Sequence, residues 1–97
     1  MPKTDSYKIF TQVIKERDTY VIYSPALDLS AYGPSIEQAK KNFHDTVTIF
    51  LRETEKKGTL EELLLELGWE KVEKDDKPRW NPPQLITNDV ESVLLPA

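Results

Sequence analysis

A chain of 97 residues has the length of one domain and can bury one modest core. With 38% hydrophobic and 31% charged residues it reads as a soluble globular domain, too apolar to be disordered throughout. Cysteine is absent and His44 is the lone histidine, which excludes disulfide frameworks, thiolate metal sites and any site built from several histidines. The net charge is −4, and the excess is lopsided. Residues 1–50 carry six basic and six acidic side chains; residues 51–97 carry seven and eleven. Phosphate backbones attract basic surfaces, so this balance disfavours nonspecific nucleic-acid binding and suits a basic protein partner. No apolar run approaches the roughly 20 residues that span a bilayer, and no apolar export signal follows the start, so the expected address is cytoplasmic, with no membrane partner.

In chain order, residues 1–6 read as a flexible polar lead. Tyr7, Ile9, Thr11 and Val13 alternate with Phe10 and Ile14, predicting a strand from Tyr7. Glu16-Arg17-Asp18 is a charged turn leading into a second strand, Thr19 to Ser24, ended by Pro25. Leu27 to Tyr32 reads as a third strand, closed by Gly33-Pro34. Ser35 and Gln38 have the spacing of a helix capping box. The stripe of Ile36, Ala39, Phe43, Val47, Phe50 and Leu51 then predicts a long amphipathic helix, with Ile49 opposite the stripe. Lys56-Lys57-Gly58 is a stop signal. Thr59 and Glu62 suggest a second capping box, opening a short helix that buries Leu60, Leu63, Leu64 and Leu67. Trp69 to Glu73 could be a strand anchored by Trp69, and Lys74 to Pro78 a polar turn. Paired prolines keep Arg79 to Ile86 extended, and Val90 to Leu95 is a last extended apolar segment. The fold class is α+β: a three-stranded antiparallel sheet in β-β-β-α-β order, one long helix packed on it, a short second helix and an extended C-terminal segment. The domain spans residues 7–73; residues 74–97 are an extension able to pair with its own or a neighbouring sheet.

No nucleotide-binding or nucleophile-elbow motif is present. His44 lies at the edge of the helix stripe and reads as a half-buried helix residue. The carboxylates of the second helix, Glu61, Glu62 and Glu66, face outward, and Asp75-Asp76 lie in a solvated turn. Nothing in the sequence brings three carboxylates together, so no catalytic, cofactor-binding or metal-binding residue is assigned and no cofactor is expected. The two helices resemble a helix-turn-helix in outline, but those glutamates would be repelled by phosphates.

Tyr20 to Asn42 reads YVIYSPALDLSAYGPSIEQAKKN. With Pro25, Leu27, Asp28, Gly33, Ser35, Glu37, Ala39 and Asn42 in order, it resembles the N-terminal domain of the HicB antitoxin family. The likeness covers about residues 7–69. It implies three antiparallel strands, a helix across them and a further strand, in a partly degraded RNase H-like sandwich. It also implies a role: binding and neutralising a small basic toxin that cleaves messenger RNA, usually as a homo-oligomer. Full antitoxins of this family commonly add a C-terminal DNA-binding motif; residues 70–97 show none, so direct DNA binding and operon repression are not expected. The alternatives are an orphan oligomeric interaction module without a toxin and a metal-dependent nuclease retaining RNase H chemistry. Tyr23, Asp28 and Tyr32 are the expected partner-binding residues. Val90, Val93, Leu94 and Leu95 are the expected oligomer contacts, through an exchanged or edge-paired strand.

Overall fold

The computed structural model describes residues 7–96, so the expected flexible lead over residues 1–6 lies outside the described residues. The elements are β1 (Gln12–Glu16), β2 (Thr19–Ser24), β3 (Leu29–Gly33), α1 (Ile36–Lys57), α2 (Leu60–Glu66), β4 (Glu70–Lys74) and β5 (Lys77–Asn81). The architecture is α+β, with β1, β2 and β3 forming one antiparallel sheet in sequence order. β4 and β5 pair with each other in a separate two-stranded sheet, so the fourth strand does not extend the main sheet.

β1 and β2 are joined by Arg17-Asp18, with Arg17 at φ 55°, in the left-handed region that tight hairpins demand. The first strand starts at Gln12 rather than Tyr7. Tyr7 to Thr11 has the alternation of a strand but no ladder; Ile9 packs against a cluster around Trp69 instead. The third strand likewise starts at Leu29 rather than Leu27, because Pro25 to Asp28 form the connection. That connection turns inward: Ala26 and Leu27 are buried.

α1 begins as the sequence implies. Ser35 is the N-cap, and its Oγ accepts a hydrogen bond from the Gln38 backbone N–H at 3.1 Å. The reciprocal half of the box is replaced, because the Gln38 amide donates to Asn42 Oδ1 at 3.0 Å. At the other end Gly58 takes φ 72°, its N–H bonding Glu55 O while the Thr59 N–H bonds Thr54 O. This is a Schellman closure, with Lys56 and Lys57 at the negative end of the helix dipole. It also explains why Thr59 forms no capping box. Its backbone is already committed to closing α1, and it makes no side-chain cap. Its hydroxyl instead donates to Thr54 O at 3.4 Å.

Two hydrophobic clusters result. Ile22, Ala31, Ala39 and Phe43 are buried between the sheet and α1. Ala26, Leu27, Leu64 and Trp69 are buried beneath α2, with Leu29 and Val47 packing against both groups. The Trp69 indole N–H donates to Ala26 O at 2.7 Å, so the aromatic anchor also satisfies a buried carbonyl. Tyr7 lies edge-on to Trp69 at 5.8 Å between ring centroids, and its hydroxyl accepts the Trp80 backbone N–H at 3.3 Å. The predicted turn at Lys74 to Pro78 narrows to Asp75-Asp76, both at positive φ, and Pro78 stands within β5 opposite Glu73. A two-stranded sheet leaves each strand a free edge, where a proline costs no ladder bond. Residues 82–96 carry no helix or strand, so Val90 to Leu95 do not pair with the chain's own sheet.

Gly33 closes β3, but not by taking a left-handed turn; among the glycines only Gly58 and Gly68 have positive φ. Its role is space. A Cβ built there would stand 2.9 Å from the Ala39 backbone N. The bare backbone of Gly33 and the fully buried methyl of Ala39 let α1 start in contact with the sheet.

Candidate functional site: the sheet face opposite the long helix

Strand alternation divides the main sheet into two faces. Tyr20, Ile22 and Ser24 of β2 share the α1 side with Leu29, Ala31 and Gly33 of β3. The register then aligns Ile14, Val21 and Tyr32 in one row across the other face, and Gln12, Tyr23 and Ser30 in the next. Ile14 and Tyr32 are exposed, and Val21 and Tyr23 are half-buried. At the hairpin end, Glu16, Arg17 and Thr19 join Val21 and Tyr32 around a shallow hollow. An apolar row with a tyrosine at its end, a second tyrosine in the adjacent row and charged groups at the rim is the composition of a docking surface.

The residues expected to meet a partner are partly assembled by this geometry. Tyr23 donates its phenolic O–H to Asp28 Oδ1 at 2.9 Å. Asp28 sits at φ 52°, which closes the β2–β3 connection and aims its carboxylate at the ring. The hydrogen bond to Asp28, with desolvation and the carboxylate's charge adding to it, holds the Tyr23 phenol above its ordinary pKa. Tyr32 lies diagonally across the β2–β3 pair from Tyr23 and is 70% exposed. Its carbonyl accepts from Asn42 Nδ2 at 2.9 Å, so α1 steadies the strand that presents it. Ile14 and Val21 complete the row and were not among the expected contacts. Their signal is the β1–β2 register, which follows once the turn is placed at Arg17-Asp18.

Val90, Val93, Leu94 and Leu95 are 75–100% exposed and stand apart from this face. The tail touches the sheet at one described corner, where Gln12 Nε2 donates to Asn88 Oδ1 at 3.3 Å. His44 is exposed rather than half-buried, with its ring edge-on to Phe43 at 6.3 Å. Among the described residues, no three histidine, aspartate or glutamate side chains gather where they could hold a metal ion, and no helix is long and apolar enough to cross a membrane. Comparison with protein-family models, with curated proteins and with solved structures finds no match to this chain.

Proposed function

We propose that this chain is a binding protein of the antitoxin type, which neutralises a small basic, RNA-cleaving protein by covering its surface with the open sheet face. The observation that carries the reading is the Ile14–Val21–Tyr32 row, bordered by the Tyr23–Asp28 pair. Tyrosines supply large contact area at low entropic cost and are enriched at interfaces. Glu16 and Asp28 at the edges offer carboxylates to lysines and arginines of the partner. The HicB-like pattern over Tyr20 to Asn42 supplies the partner class, and the acidic second half of the chain is consistent with it.

The test is capture of partners from the source cell on the full chain and on a Tyr32→Glu variant. The expected result is a small basic protein held by the wild type and lost by the variant. The recovered protein should cleave RNA alone and stop when the chain is added back. Retention of no basic protein, or equal retention by both baits, would reject the reading. The exposed apolar tail favours a second role in self-association, developed below.

A further inference from the structure

α1 packs chiefly across β3 and β2, and among the described residues a gap is left between it and the Tyr7–Thr11 segment. A groove of about 610 Å³ opens there. Its floor is apolar, from Ile22, Phe43 and Val47, and its walls carry Lys8, Lys40 and His44. Among the described residues none has a carboxylate lining it. The tail has the complementary composition: Asp89 and Glu91 are followed by Val93 and Leu95, and all four fall on one side of an extended strand.

The order matches along the groove as well as the composition. Lys40, His44 and Val47 succeed one another along α1, basic first and apolar last, over about 10 Å of helix. From Glu91 to Leu95 an extended chain covers about 13 Å, acidic first and apolar last. A tail running in the direction of α1 therefore sets its carboxylates beside Lys40 and His44 and its apolar side chains toward Val47, where Ile9 packs.

The chain's own tail does not take this place. Described through Pro96, it leaves Val90 and Leu94 at 99–100% exposure. Asn88 is tethered to Gln12, whose side chain belongs by alternation to the face away from α1. The tail thus starts on the wrong side of β1 for its own groove.

We infer that the 89–95 tail of one copy docks in the Lys8–Lys40–His44 groove of a second copy, and that reciprocal exchange makes a two-fold dimer. The contact uses the α1 side of the sheet, so both copies keep the opposite face free, and its test is independent of any toxin.

Sedimentation equilibrium of the full chain across a wide concentration range reads the dimer directly. Burying one leucine-sized side chain is worth about tenfold in association constant, so Val93→Asp and Leu95→Asp should each weaken the dimer ~10-fold or more. Lys40→Glu, on the exposed side of the helix, should weaken it too, and Glu91→Lys combined with Lys40→Glu should recover part of the loss. Leu94→Asp, on the alternate side of the tail, should cost less than Leu95→Asp. A tail-defective copy mixed with a groove-defective copy should form a heterodimer through the one intact contact. A monomer at every concentration, or a dimer indifferent to both variant sets, would overturn the inference. So would equal losses from Leu94→Asp and Leu95→Asp, or charge reversals that do not compensate. Circular dichroism of each variant confirms that it is folded.

Discussion

Gly33→Ala tests the contact on which the main layer depends. The added methyl would stand 2.9 Å from the Ala39 backbone N, 3.1 Å from the Gln38 carbonyl carbon and 3.2 Å from Gln38 Cβ. Two of these atoms belong to the helix backbone and cannot swing aside, so the first turn of α1 must lift. Lifting it loosens Ala39 and Phe43 in the core and strains the Asn42 bond to the Tyr32 carbonyl. Overpacking of this kind costs ~1–3 kcal/mol. Removing a glycine from the unfolded chain returns about 0.4–1 kcal/mol. The net expectation is a loss of about 1–2 kcal/mol. In a domain of this size each kcal/mol corresponds to ~4–8 °C in Tm. Urea unfolding followed by helix ellipticity should show a lower midpoint with an unchanged slope. Because the tightest contact is with backbone, Gly33→Ala combined with Ala39→Gly should not regain stability. A midpoint equal to or above wild type, or rescue by Ala39→Gly, would refute the argument.

Other substitutions probe separate parts of the molecule. Trp69→Phe leaves the buried Ala26 carbonyl without its 2.7 Å donor, and should cost ~1–3 kcal/mol in denaturant unfolding even though the replacement is aromatic. Ser24 is fully buried and its hydroxyl has no hydrogen-bond partner among the described residues, so Ser24→Ala should be neutral or stabilising by up to about 1 kcal/mol; a clear loss in the same assay would contradict this. Asp76→Gly relieves a left-handed residue in the β4–β5 turn and should stabilise that hairpin by ~0.5–1 kcal/mol, read by amide exchange across β4. The Asp28 carboxylate raises the Tyr23 pKa, so Asp28→Asn should bring its titration back toward about 10, followed by phenolate absorbance. The sign follows from linkage. With the folded pKa above the unfolded one, the pair's contribution is complete below pH ~10 and disappears as pH rises through the folded value. A Tyr23 titration unchanged by Asp28→Asn would remove the basis for that contribution.

How much of this was legible in the sequence depended on how local the physics is. β2 and α1 follow from alternation, the Ser35 cap and the Gly58 stop, all of which act within a few residues. Tyr23 and Tyr32 were expected as partner-binding residues, but that they lie diagonally on one face follows only from the β2–β3 register. The start of β1 was not: Tyr7 to Thr11 has strand periodicity, but whether it pairs depends on a distant partner, and Trp69 and Trp80 claim Tyr7 instead. Thr59 matched a capping pattern that the closure of α1 overrode. Gly33 was visible as a required glycine, but a turn and a close approach look identical until the helix position is known. The groove beside Lys40 had no signature at all, because it arises from where α1 does not reach.

The Tyr7–Trp69–Trp80 junction has a consequence for how the molecule is made. It joins Tyr7 to segments more than sixty positions later, so closing it carries a large loop-closure cost. A nascent chain released only as far as α1 lacks the indole that seals Ala26 and Leu27. Ala26 and Leu27 therefore reach their full burial only once Trp69 is available, which ties the seal of the second cluster to the last third of the chain.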